Sequence, residues 1–225
     1  LSDANCTALP ADLTGSATIT VNQLPTATIS YPGNPFCTSA APINPTITML
    51  TGGPFSGTSF SSTSGLTLNA ATGVITPGTS TPGTYTVTYS FTGANGCSNT
   101  TTTSVTIDAL PTATISYPGN PFCTSAAPVT PTITVLTGGP FSGTSFSSNP
   151  GLTLNATTGI ITPGTSTPGT YAVTYSFTGA NGCANTAITS VTITLEPTAF
   201  ISYAGNPFCK SIVAPQAVTL TGTGA

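Results

Sequence analysis

Pro25-Thr26-Ala27-Thr28-Ile29-Ser30-Tyr31-Pro32-Gly33-Asn34-Pro35-Phe36-Cys37 returns unchanged at Pro111 to Cys123, and again at Pro197 to Cys209, where Phe200 and Ala204 stand in place of Thr and Pro. The spacing from Pro25 to Pro111, and from Pro111 to Pro197, is 86 residues. A fixed period is the first thing to seek in a sequence, because it dictates the architecture. A period of 86 residues is too long for one turn of a solenoid and suits a small independent domain. Two whole units follow, 25–110 and 111–196. Residues 197–225 match the start of a third unit. Residues 1–24 read as the end of a preceding one, since Ser16-Ala17-Thr18-Ile19-Thr20-Val21 parallels Thr103-Ser104-Val105-Thr106-Ile107. The chain is therefore expected to be a window on a longer array. It starts at Leu1 without a basic leader, which is expected of a processed or internal piece.

Within a unit the apolar period is two. Thr84-Tyr85-Thr86-Val87-Thr88-Tyr89-Ser90-Phe91 alternates strictly, so Tyr85, Val87, Tyr89 and Phe91 should face a core and the hydroxyl residues water. Thr26–Tyr31, Thr46–Leu50, Leu66–Leu68, Val74–Thr76 and Thr101–Ile107 are further expected strands. Pro32-Gly33-Asn34-Pro35, Thr51-Gly52-Gly53-Pro54, Ala71-Thr72-Gly73, Thr81-Pro82-Gly83 and Ala94-Asn95-Gly96 separate them as turns. Asn-Gly between alternating runs is a strong hairpin signal. The expectation is all-β: tandem immunoglobulin-like β-sandwiches of about seven short strands each, strung as beads. With no Trp in the chain, the antibody-type Cys–Trp–Cys core is absent.

Charge narrows the function. The chain carries one Lys+Arg, four Asp+Glu and no His, so 2% of it is charged, against roughly 25% in ordinary soluble domains. About 50 threonines supply the polar surface instead. With Lys210 the only cation, a nucleic-acid interface is excluded, and so is charge-driven binding to anionic lipid. No apolar run approaches the roughly 18–20 residues needed to span a bilayer, so membrane insertion is not expected.

Ser64-Gly65-Leu66-Thr67-Leu68-Asn69-Ala70-Ala71-Thr72-Gly73-Val74-Ile75-Thr76, followed by Pro82-Gly83-Thr84-Tyr85-Thr86-Val87-Thr88, resembles the core signature of bacterial Ig-like domains. With the early Cys of Asn-Pro-Phe-Cys and the late Cys of Asn-Gly-Cys, each unit is similar over nearly its whole length to the Ig-like and PKD-like tandem repeats of large Bacteroidota cell-surface adhesins, gliding-motility adhesins among them. The resemblance implies an Ig-like fold at a cell surface and says little of ligand.

Each unit has one early and one late cysteine, which points to an oxidising compartment. The preferred expectation is one disulfide per unit, Cys37–Cys97 and Cys123–Cys183, with Cys6 and Cys209 pairing outside the window. The rival pairs neighbours: Cys6–Cys37, Cys97–Cys123 and Cys183–Cys209. Against the rival, two successive extended strands should carry Cys97 and Cys123 far apart.

No catalytic constellation is expected, for general acid–base chemistry needs a group titrating near neutrality. Asp3, Asp12, Asp108 and Glu196 occupy no common unit position. No metal or other cofactor is expected either: zinc needs clustered Cys or His, and calcium needs more than one carboxylate per junction. Asn5, Asn99 and Asn155 stand in glycosylation sequons, although a Thr-rich chain produces these by chance. O-glycosylation of the Thr face would answer the solubility problem of uncharged strands. Thr rows also suit ice binding, but β-propensity accounts for the same Thr content.

Three functions stand. The first is a non-catalytic structural spacer or stalk of a large extracellular adhesin or surface fibre. The second is a subunit of a filament polymerised by strand donation, for which residues 16–22 are strand-like. The third is an adhesive module binding glycan or protein. The expected partners are neighbouring repeats, copies of itself, or glycans.

Overall fold

The computed structural model describes residues 18–204, 209–211 and 214–223. It divides into two compact units, Leu1–Ile107 and Asp108–Ala225. Among the described residues, unit 1 has six strands: β1 (Thr26–Ser30), β2 (Phe36–Cys37), β3 (Thr46–Thr51), β4 (Ser56–Ser62), β5 (Gly83–Thr92) and β6 (Ser98–Asp108). β1 pairs antiparallel with β3 in one sheet, and the other sheet runs β2-β6-β5-β4. Unit 2 repeats this with β7 (Thr112–Ser116), β8 (Phe122–Cys123), β9 (Thr132–Thr137), β10 (Ser142–Ser148), β11 (Gly169–Thr178) and β12 (Ala184–Thr194). A further antiparallel pair follows, β13 (Thr198–Tyr203) with β14 (Val218–Thr223). Each whole unit is an immunoglobulin-like β-sandwich.

The sandwich closes because the alternation of β5 is obeyed. Tyr85, Val87, Tyr89 and Phe91 are buried, and so are Val105 and Ile107 opposite. Ala27 and Ile29 of β1 and Tyr31 just beyond it bring the second sheet into the same core. Phe55, Phe91, Tyr89 and Phe60 form a chain of rings with centroids 4.5, 5.1 and 4.9 Å apart. Such spacing suits offset aromatic pairs.

The chain passes from one sheet to the other between β1 and β2. The Pro32-Gly33-Asn34-Pro35 turn ends β1 and sends the chain across, so that β2 lies beside β6. In unit 2 the same pairing is parallel, Ile193 beside Phe122 and Thr194 beside Cys123. The crossing leaves part of β6 without a backbone partner, and Asn34 fills the gap. Its Oδ1 accepts from Thr106 N at 2.7 Å.

A hydroxyl locks the corner before β5. Tyr85 Oη donates to Thr81 O at 2.6 Å, and Tyr171 does the same to Thr167 O. This is the tyrosine corner of immunoglobulin sandwiches: a Tyr near the start of a core strand bonds back to the chain a few residues upstream.

Three expected strands differ. Leu66–Leu68 and Val74–Thr76 make only isolated bridges, Leu68 to Ile75 and Ile75 to Ile43. Leu66 and Leu68 are half-buried against the core and Ile75 is fully buried, but neither segment has the length to form a ladder. Thr18–Val21 has no strand structure, and Ile19 and Val21 are 87% and 90% exposed. No strand lies alongside to satisfy them among the described residues; residues 16 and 17 lie outside those described. In the other direction, β4 reads Ser-Gly-Thr-Ser-Phe-Ser-Ser and has no apolar period to announce it. It is held by pairing with β5, with Phe60 opposite Tyr89.

Candidate functional site

Each unit has two ends, built by different loops. At the upstream end, where the chain comes in, the β5–β6 hairpin wraps the incoming segment. Asn95 Nδ2 donates to Gln23 O at 2.7 Å, Asn99 Nδ2 to Pro25 O at 2.8 Å, and Ala94 N to Gly52 O at 3.0 Å. Asn95 Oδ1 accepts from Cys97 N at 3.1 Å, which fixes Cys97 in this hairpin. Unit 2 repeats the arrangement, with Asn181 to Ala109 O at 2.8 Å and Asn185 to Pro111 O at 2.8 Å. Cys183 therefore sits where Cys97 does.

At the downstream end, β2 or β8 lies beside the last residues of the unit. Cys123 is opposite Thr194, and Thr124 N donates to Thr194 O at 2.9 Å. Thr194 Oγ1 donates to Cys123 Sγ at 3.7 Å. Cys37 occupies the same place on β2.

This placement overturns the preferred disulfides. β12, which separates the two cysteines of unit 2, is 11 residues long, roughly 35 Å at a strand's rise. A disulfide needs Cα atoms within about 7 Å. Cys37–Cys97 and Cys123–Cys183 are therefore not formed: Cys97 and Cys123 are free, while Cys37 and Cys183 are each disulfide-bonded. The rival pairs Cys97–Cys123 and Cys183–Cys209 are not formed either, because Cys97, Cys123 and Cys209 are free. Even spacing in sequence suggested pairing within a unit; the missing information was that the two positions lie at opposite ends of a long strand. Cys6 lies outside the described residues.

Asn99 spends its Nδ2 on Pro25 O, so a glycan on that nitrogen would compete with the bond that holds β1 in place. Asn155 is exposed and uses Oδ1 to accept from Thr157 N and Thr158 N, both at 2.9 Å. Asn5 lies outside the described residues. A shallow groove of about 390 Å³ runs along the β5–β6 edge, lined by Ser90, Thr92, Ser98 and Thr100 around Asn99. A groove of about 420 Å³ occupies the same place in unit 2. Both offer hydroxyls and amides, without a charged group.

Tyr31 and Tyr117 are the most perturbed titratable groups described. Burial pushes both up to about 12. Their hydroxyls donate to Gly73 O and Gly159 O at 2.6 Å, a structural use of the phenol. Among the described residues, no group of three or more His, Cys, Asp or Glu could hold a metal ion. No helix among them is long and apolar enough to cross a membrane.

No protein-family model matches the chain, and no curated protein matches it. Solved structures do. The C-terminal 282-residue fragment of intimin, in complex with the intimin-binding domain of the translocated intimin receptor, is similar at 16% identity over 82% of this chain and 68% of that one, with a TM-score of 0.40. The fibronectin(III)-like modules of Clostridium thermocellum CbhA are 15% identical over 76% of this chain and 95% of theirs, with a TM-score of 0.37. The protocadherin GammaB4 extracellular domain is 8% identical over 89% of this chain and 41% of that one, with a TM-score of 0.34.

Proposed function

We propose that this chain is a non-catalytic structural spacer of a large, repetitive extracellular adhesin or surface fibre. One observation carries the reading: the same sandwich is built twice, and each copy takes the chain in at one end and passes it on at the other. The upstream ties of Asn95 and Asn99 recur at Asn181 and Asn185, and the downstream cap of Asn34 recurs at Asn120. Such a unit adds reach with each repeat. The bonded state of Cys37 and Cys183 supports an oxidising, extracellular setting. The absence of catalysis rests on chemistry available in the sequence, which has no His and a single Lys.

Electron microscopy of cells labelled with antibody to the repeat tests the proposal. Unbranched surface fibres decorated at regular intervals are expected, and antigen found only inside cells would overturn it. Reduced, denatured material then separates spacer from polymer: one long polypeptide fits the spacer, and short subunits fit the filament. Glycan binding by a single repeat would move the reading to an adhesive module.

A further inference from the structure

The free and bonded cysteines form a pattern that neither expected pairing contains. Cys37 and Cys123 hold the same downstream position; the first is bonded and the second free. Cys183 and Cys97 hold the same upstream position; again the first is bonded and the second free. In each matched pair the free member is the more exposed: Cys123 is exposed and Cys37 intermediate, while Cys97 is intermediate and Cys183 fully buried. The local chain is the same in each pair, with the Asn95 to Cys97 bond of 3.1 Å reproduced at Asn181 to Cys183. Each position thus carries a disulfide-bonded cysteine in one of the two units.

We propose that the repeat is stapled end to end: a downstream cysteine pairs with the upstream cysteine of a further copy of the repeat, and Cys123 and Cys97 are one such pair of mating thiols presented by this chain. Pairing within a repeat is ruled out by the length of the strand between the two positions. Like-to-like pairing would join two downstream or two upstream ends. In a tandem array, however, a downstream end is followed along the chain by an upstream end. For the isolated chain, the mate of Cys123 is Cys97 of a second copy. The inference rests on the geometry of each repeat and holds whether the repeats serve as spacer, filament or binding module.

The chemistry is thiol–disulfide exchange with a small-molecule disulfide. One protein thiolate attacks it and releases a small thiol, leaving a mixed disulfide. The second protein thiolate attacks that bond and releases the other small thiol. Two protein thiols and one small disulfide thus become one protein disulfide and two small thiols.

The test uses the full 225-residue chain with Cys6→Ser and Cys209→Ser, which leaves Cys97 and Cys123 as the mating thiols. It is purified without reductant and incubated with oxidised glutathione. The expected result is a ladder on a non-reducing gel, rising in steps of the 22.1 kDa chain and collapsing on reduction. Adding Cys97→Ser or Cys123→Ser should remove it. Pepsin is the suitable protease, since the single Lys gives trypsin little to cut; the digest should yield a Cys97–Cys123 linked peptide from multimer bands. Monomer with both thiols still alkylatable would overturn the proposal. So would Cys97–Cys97 or Cys123–Cys123 linkage, or a Cys97–Cys123 link within monomer. If the serine variants fail to fold, the same digest of oxidised native-sequence chain decides, on the presence or absence of that peptide in multimers.

Discussion

At the scale of single residues, the fold depends on hydroxyls and glycines that no hydrophobic pattern announces. Tyr85 Oη meets both the carbonyl and the hydroxyl of Thr81 at 2.6 Å. Tyr85→Phe should cost unit 1 about 1 kcal/mol, a fall of roughly 5 °C for a domain of this size. Thermal unfolding should then separate into two transitions, with unit 2 unmoved; a single unshifted transition would count against the corner. Gly73 has φ +72°, and a Cβ there would lie 2.5 Å from the Phe60 ring. A side chain is strained in that backbone region and would also displace a core ring. Gly73→Ala should therefore destabilise by about 2–4 kcal/mol in urea unfolding, well above the cost at an open turn such as Gly96. Gly73 was legible as a turn residue from Ala71-Thr72-Gly73. That the ring of Phe60 covers it was not, because Phe60 sits in a Ser-rich strand without period.

At the scale of elements, β5 carries the sandwich. Its inner row packs the core, and its outer Thr row pairs hydroxyls across strands. Thr84 of β5 and Thr106 of β6 lie 3.0 Å apart through Oγ1, and in the other sheet Thr26 of β1 and Thr51 of β3 lie 2.8 Å apart. Cross-strand Thr pairs of this kind stabilise a sheet while leaving it uncharged, which is a use for the threonine excess. Phe91 is 1% exposed and stacks on Phe55 and Tyr89. Phe91→Ala should cost about 3–5 kcal/mol, and hydrogen exchange should then rise throughout β4–β6 rather than at one strand. Asn34 belongs to this scale too. Its side chain stands in for a missing strand partner of Thr106. Asn34→Ala should cost about 1 kcal/mol and raise exchange at the Thr106 amide in particular. The alternating strands were legible in sequence because both their faces are specified. β2 and β4 were not, because each is held by a neighbour rather than by its own pattern.

At the scale of the whole molecule, pH acts through buried phenols. Tyr31 and Tyr117 are pushed up to about 12 by burial, from an ordinary value near 10. Below about pH 10 both folded and unfolded chains hold these protons, and their contribution is fully present. Between about pH 10 and 12 the unfolded chain releases protons that the folded chain retains, so stability falls. Circular dichroism melts should be nearly level from about pH 6 to 9, as a chain without His allows, and should decline steeply above 10. Tyr31→Phe with Tyr117→Phe should flatten that decline; an unchanged decline would assign it elsewhere.

The repeat, its 86-residue period, the all-β class and the inner faces of the long strands are all readable in the order of residues. A period of two is a direct consequence of the pleat, so alternation reports a strand without tertiary information. The lack of His and the lone Lys likewise bounded the chemistry from composition alone. The state of the cysteines follows from the three-dimensional fold. Their linear spacing favours pairing inside a unit and leaves pairing between neighbours open. Their places at opposite ends of β6 and β12 depend on β2 and β8 crossing to the far sheet, a step set by long-range pairing that no local stretch of sequence encodes.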